Sequence, residues 1–429
     1  MHRKNALKTT ALRLLTVELT LKNINGEEKA MIFESINLGG VTAKNRIIRS
    51  ATHDGLADGN GAPTEKLIRK YEYLAKNEVG VIITGYAGVS ENGMSPYPAM
   101  LKIHNDDNLE QYEKLAEAAH KYDTPIVLQL AHCGRQTSSK TIGVQKVAPT
   151  AKRHLFYPDK AKELDKNEIK TIVNDFVKAA QRAEKCAFDA VQLHAGHGYL
   201  LHDFLSPYGN KRTDEYGGSV ENRCRIICEI IKGIKENTSL PVWIKISAED
   251  NRKNGMRIED SVKICKILEN AGLDCIEVSC GTVEDGMNTM RSRVMPMDAV
   301  FEYREPCASF PKPLKSVSLF FANLVNPLIK QPSPLENFNV ANAEKIKSSL
   351  DIPVIVVGGI HKLDDMESIV KNGCADAVSM CRPFICEPNL VSKLKSGQQR
   401  EAKCLMCNYC GLVIEKGETK CLYGRINNE

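Results

Sequence analysis

The stretch Val354-Ile355-Val356-Val357-Gly358-Gly359-Ile360 reads as a short strand that ends in a glycine pair. After a helical segment comes Ala377-Val378-Ser379-Met380-Cys381-Arg382-Pro383, a second strand that ends in an arginine. Uninterrupted β-branched runs of this kind suit strands buried on both faces of a parallel sheet. Upstream the same unit recurs, with apolar runs at 45–50, 80–85, 125–130, 190–194, 242–247 and 275–279, followed by 353–357 and 377–380. Amphipathic stretches separate them, for instance 165–185, 220–235 and 258–271. Eight strands alternating with helices predict an α/β fold of the (β/α)8 TIM-barrel type rather than an open doubly wound sheet. No strand leads into a G-x-G-x-x-G turn, so a dinucleotide-binding Rossmann domain is not expected.

The 429 residues leave room for a barrel and additional segments. With 42% hydrophobic and 26% charged residues, the chain can bury a core. It has no apolar run of about 18 residues that would span a membrane. The net charge of +5 is dispersed, which argues against a nucleic-acid footprint and is compatible with an anionic small molecule. Fifteen cysteines are too few for a disulfide scaffold of this size, and several fall in core-like runs, so a reducing cytoplasm is expected. Residues 1–30 are basic at the front and lack a secretory signal. They are read as a disordered extension, an upstream start or an organelle presequence, with Met31 opening the folded region. Residues 31–400 form the expected barrel and 401–429 a cysteine-rich tail. A proline-rich insertion near 283–339, too long for an ordinary connection, is either a lid or a surface insertion.

In a barrel the reactive groups stand at the C-terminal ends of the strands. Gln129, His194, His197, Lys245, Gly358, Gly359 and Arg382 all fall there. The glycine pair and Arg382 suit a phosphate, because backbone N–H groups and a bidentate guanidinium would converge on it. His194-Ala195-Gly196-His197-Gly198-Tyr199 admits a metal pair, a carbonyl clamp with a proton donor, or two incidental histidines. No third metal ligand or H-E-x-x-H pattern accompanies it, whereas paired N–H donors suit a developing enolate oxygen. Cys404, Cys407, Cys410 and Cys421 have the spacing of a metal site; a [4Fe–4S] cluster, a tetrahedral zinc and free thiols are the three readings.

Four motifs then carry a specific resemblance. They are Asn45-Arg46-Ile47-Ile48-Arg49-Ser50, Gln129-Leu130-Ala131-His132-Cys133-Gly134-Arg135, the run from His194 through Asp203-Phe204-Leu205-Ser206-Pro207, and Asn210-Lys211-Arg212-Thr213-Asp214-Glu215-Tyr216-Gly217-Gly218-Ser219-Val220-Glu221-Asn222-Arg223. Together they resemble the old yellow enzyme family of FMN-dependent ene-reductases over residues 31–400. Met380-Cys381-Arg382-Pro383-Phe384 and His53 lean towards its 2,4-dienoyl-CoA reductase branch.

The resemblance implies that Ser50, Ala51, Thr52, His53 and Gly85 lie against a non-covalent FMN. It also implies that Gln129 bonds the flavin's pyrimidine edge, and that Lys245 supplies positive charge where many relatives have arginine. Gly358, Gly359, Cys381 and Arg382 would hold the phosphate. His194 and His197 would grip a substrate carbonyl and Tyr199 would donate the proton. NAD(P)H would be the reductant, and the substrate an α,β-unsaturated ketone, acid or thioester. The related branch carries an iron–sulfur cluster near the tail, with a second gap one residue longer, followed by an FAD- and NAD(P)H-binding portion that this sequence lacks. The alternative is a barrel subunit that passes electrons within a larger complex. Expected partners are the small-molecule substrate, an electron-transfer protein and further copies of the chain, without nucleic acid or membrane.

Overall fold

The computed structural model describes residues 30–422 apart from 294, 306 and 330, so the expectations for residues 1–29 lie outside the described part. Its eight central strands are β1 (Ile47–Arg49), β2 (Val81–Ile83), β3 (Ile126–Ala131), β4 (Ala190–Ala195), β5 (Val242–Ser247), β6 (Cys275–Ser279), β7 (Val354–Val357) and β8 (Ala377–Met380). Each pairs in parallel with the next, and β8 returns to β1 through Ser379 opposite Ile48. The sheet is therefore a closed (β/α)8 barrel, and all eight predicted strands are present.

Helices α1 (Glu65–Lys76), α2 (Leu109–His120), α3 (Lys166–Lys185), α4 (Val220–Asn237), α5 (Ile258–Asn270), α6 (Val340–Lys347), α7 (Leu363–Lys371) and α8 (Leu390–Lys395) follow the strands in turn. Helix α3 illustrates the local logic. Asp165 caps it by accepting from the Asn167 and Glu168 amides, Glu168 answers in a capping box, and Ile169, Ile172, Phe176, Ala179, Ala180 and Ala183 form its buried stripe.

Inside the barrel, Ile48, Val81, Ile83, Val127, Ala190, Trp243, Cys275, Ile355 and Ala377 pack into one apolar layer. A hairpin of Ile36–Leu38 and Val41–Ala43 contributes Leu38, Val41 and Ala43 to that layer. Its turn needs Gly39, because φ is 56° and a Cβ would lie 2.1 Å from the Asp274 carbonyl oxygen.

The insertion after β6 is more ordered than its prolines suggest. It contains helices at Met297–Tyr303 and Lys312–Val325. The first packs against the tail helix Tyr409–Val413, where the Tyr409 hydroxyl donates to Asp298 at 2.7 Å. The tail also reaches the β1 loop, with the Thr419 hydroxyl donating to the His53 carbonyl at 2.7 Å.

Candidate active site

Strand register brings Gln129 beside Gln192, His194 beside Lys245, and Lys245 beside Glu277. These side chains form a continuous polar network above the apolar layer. Gln129 Nε2 donates to Gln192 Oε1 at 2.7 Å, and Gln192 Nε2 to Glu277 Oε2 at 2.9 Å. The Ser50 and Ser379 hydroxyls donate to Glu277 Oε1 at 2.6 and 2.7 Å. Lys245 Nζ donates to Ser50 Oγ at 2.6 Å and stands 3.2 Å from Glu277 Oε1. Burial raises the proton affinity of Glu277, but Lys245 and the three hydrogen bonds outweigh it and hold the carboxyl below its usual range. Lys245, expected to supply positive charge, is paired with Glu277 within the same network.

His194, His197 and Tyr199 converge at the end of β4. The His194 ring lies 4.3 Å from Tyr199 and 5.3 Å from His197, centroid to centroid. His197 occupies the left-handed region at φ 62°, an uncommon state for a non-glycine residue, and Gly198 follows at φ 84°. Its amide donates to Ser247 Oγ at 3.0 Å, and its Nε2 lies 2.8 Å from Ser279 Oγ. These bonds hold the ring in place. Burial, and then the nearby positive groups, push both imidazoles well below their ordinary pKa, so they act as neutral rings. Burial also pushes the Tyr199 phenol well above its ordinary value, which keeps its proton in place. His194 Nδ1 is buried without a hydrogen-bond partner, an unpaired polar atom at the centre of the site.

Tyr86, from the loop after β2, lies 5.5 Å from the Tyr199 ring, and its hydroxyl is 3.0 Å from Ser95 Oγ. His53 stacks on Tyr86 at 5.2 Å and meets the Pro98 carbonyl at 3.2 Å; burial pushes its pKa down to about 4. The expected β1 group is thus beside the pair. Thr52 donates to Cys381 Sγ at 3.1 Å, and Gly85 packs so closely that a Cβ would lie 2.7 Å from the Thr52 carbonyl oxygen. Ala51 is half-buried against the barrel layer.

The expected phosphate residues are less tightly joined. Gly358 and Gly359, at φ 146° and 71°, sit under the end of the insertion, where a Cβ on Gly359 would lie 2.2 Å from the Leu335 carbonyl oxygen. Arg382 directs Nη1 to the Arg291 and Met406 carbonyls at 2.9 and 3.3 Å and to Asn408 Oδ1 at 2.6 Å. One guanidinium nitrogen is therefore committed to the insertion and the tail.

Cys404, Cys407, Cys410 and Cys421 all line one small pocket with Arg382, Ile385 and Asn408. Cys386 is hydrogen-bonded to Cys421, which together with burial pushes the Cys386 thiol up. Among the described residues, no three His, Cys, Asp or Glu side chains come together so as to hold a metal ion.

Sequence reasoning missed Glu277, Gln192, Tyr86 and Ser279. Glu277 did leave a signal: an acid in the middle of the apolar run Cys275-Ile276-Glu277-Val278-Ser279 has to be paired if it is buried.

A family model described as NADH:flavin oxidoreductase / NADH oxidase matches residues 31–327 and 290–401. The chain belongs to this family. The NADH:flavin oxidoreductase relatives include an NADH oxidase of Thermoanaerobacter brockii, 34% identical over 88% of this chain and 52% of the relative. The chain thus spans about half the length of that protein. A 4,4'-dithiodibutanoate disulfide reductase of Rhodococcus erythropolis is 28% identical over 91% of this chain and 94% of its own length. Among solved structures, an old yellow enzyme homologue from Zymomonas mobilis superposes with a TM-score of 0.68 at 25% identity, covering 92% of this chain and 98% of that one. The old yellow enzyme assignment of the sequence and the barrel fold agree with these matches.

Proposed function

We propose that the chain is an FMN- and NAD(P)H-dependent reductase of activated C=C bonds in α,β-unsaturated carbonyl compounds. The observation that carries this reading is the clustering of the His194, His197 and Tyr199 rings at the end of β4, with His194 Nδ1 buried and without a hydrogen-bond partner. Two features fit the flavin nucleotide. The Gly358-Gly359 backbone lies in conformations that other side chains would strain, and among the described residues Arg382 Nε and Nη2 have no hydrogen-bond partner. Ser50, Ala51, Thr52, His53, Gly85, Gln129 and Lys245 would line the ring system, and Gly358, Gly359, Cys381 and Arg382 the phosphate. When bound, FMN supplies two-electron hydride chemistry.

The chain's own residues do the rest. His194 and His197 hold the carbonyl oxygen by hydrogen bonds that strengthen as negative charge develops there. Tyr199 delivers a proton to the α-carbon, and the surrounding rings keep water away. Neutral imidazoles suit this role, because they donate without bringing a buried positive charge that the empty site would have to stabilise.

The tail thiols are proposed to hold a [4Fe–4S] cluster. Four cysteines at these intervals offer the four thiolates that such a cluster takes as ligands. All four line one pocket, which supports a shared centre. Such a cluster would relay electrons from a partner protein; a barrel that only relays electrons would need no carbonyl clamp.

Anaerobic purification tests these assignments. About one FMN per chain should be released on denaturation, with about four irons and labile sulfides per chain. FAD, or no flavin uptake, would overturn the cofactor assignment; one zinc without labile sulfide would overturn the cluster.

A further inference from the structure

The helix Lys312–Val325 has no buried residue. Its half-buried positions are Lys315, Ser318, Leu319 and Ala322, whereas Leu314, Val317, Phe320, Phe321, Leu324 and Val325 are exposed. Leu328 and Ile329 continue the apolar surface, and these eight side chains are 50–81% exposed. The helix is therefore apolar towards solvent and mixed towards the body of the protein, the reverse of an ordinary surface helix. Residues 306–335 contain Lys312, Lys315 and Lys330 and no aspartate or glutamate.

We infer that this helix docks on an anionic phospholipid surface, lying in the plane of the headgroups with its apolar face inserted. At about 1.5 Å per residue its 14 residues extend roughly 21 Å, too short for a bilayer core of about 30 Å. An in-plane position satisfies both the apolar face and the exposed Lys312 at the helix start, with Lys315, whose Nζ donates to the Ala308 carbonyl at 3.2 Å, adding its charge at the same end. The expectation of no membrane partner rested on the absence of a spanning run, which an interfacial helix does not need.

Charge decides between the occupants. Leu314, Val317, Phe321, Leu324 and Leu328 repeat with alternating three- and four-residue steps that would also suit a partner helix. Pairing two copies would gather six lysines from these segments and none of the segments' own carboxylates. The N-terminal segment joins at the other end of the barrel, where the Arg46 amide, before β1, donates to the Ile32 carbonyl. The insertion instead leaves the C-terminal end of β6, the same end as His194 and Tyr199, so docking would bring the barrel mouth towards the bilayer, where apolar substrates partition.

Flotation of the full chain with phosphatidylcholine vesicles, with and without phosphatidylglycerol, tests the inference. The protein should float with the anionic vesicles and lose affinity in high salt. The double variant Phe320→Ser/Phe321→Ser should bind roughly tenfold or more weakly while keeping its far-UV circular dichroism and thermal midpoint. Lys312→Gln/Lys315→Gln should weaken binding to the anionic vesicles only. Failure of the parent protein to float, or a serine variant that floats equally well, overturns the inference. A parent dimer that the serine variant splits, without flotation, would instead assign the face to a second copy.

Discussion

The barrel mouth and the insertion helix break the same rule in opposite directions. Gln129, Gln192, Lys245 and Glu277 are at most 4% exposed, while Phe320, Phe321, Leu324 and Leu328 are 58–81% exposed. At the mouth Gln129, Gln192, Lys245 and Glu277 find their partners inside the fold, so the departure is stabilised where it occurs. On the helix nothing among the described residues covers the apolar face, so its compensation has to come from outside the chain. Residues that contradict local preference therefore mark function in both places: the first through a self-contained network, the second through a surface that is incomplete without a partner.

The largest expected effect separates these cases at the mouth. Glu277→Leu leaves the Lys245 ammonium buried without its carboxylate and should cost about 3–5 kcal/mol of unfolding free energy in chemical denaturation. Lys245→Met/Glu277→Leu should recover most of that loss, because the unpaired charge is gone. If the double variant is no more stable than the single one, the network is not governed by the ion pair.

Next comes the acid limb. His53 has its pKa pushed down to about 4 by burial, against about 6.5 in an unfolded chain. Between those values the unfolded chain takes up a proton that the folded chain does not, so stability should fall as pH drops from 6.5 to 4, by an amount on the order of 3 kcal/mol. Above pH 6.5 this contribution is flat. His53→Gln should shallow the slope in denaturation curves collected across that range, and an unchanged slope would mean that His53 titrates normally.

The smallest effect belongs to the helix. Phe320→Ala should move stability by no more than about 0.5 kcal/mol, because its ring is exposed, whereas Phe176→Ala in α3 should cost about 3–5 kcal/mol. A large loss at Phe320 in dilute solution would show that the face is already covered within the chain or by a second copy.

Legibility followed the same division. Strand runs such as Val354–Val357 and the 165–185 periodicity predicted the barrel closely, because burial on both faces and a 3.6-residue stripe leave direct traces in sequence. The clustering of His194, His197 and Tyr199 was legible because they follow one another within six residues at the end of β4. Glu277 was not, since its partners Ser50, Gln192, Lys245 and Ser379 come from four other strands or their ends that only closure of the barrel brings together. The insertion misled for a different reason. Pro311 and Pro313 punctuate the chain like loop residues, yet they stand at the N-cap and first turn of Lys312–Val325, positions that proline tolerates. The tail spacing was read as a metal site; the structure lines one pocket with the four cysteines, and the Asn408 contact to Arg382 at 2.6 Å left no trace in the spacing.

The proton-donor assignment of Tyr199 is tested most directly by Tyr199→Phe in anaerobic stopped-flow experiments that separate the two half-reactions. Phenylalanine keeps the ring against His194 and removes only the hydroxyl. Flavin reduction by NAD(P)H should stay nearly unchanged, while reoxidation by an enone should slow by about 10²–10⁴-fold, the usual contribution of a general acid. Reoxidation at the parent rate in the phenylalanine variant would contradict the account.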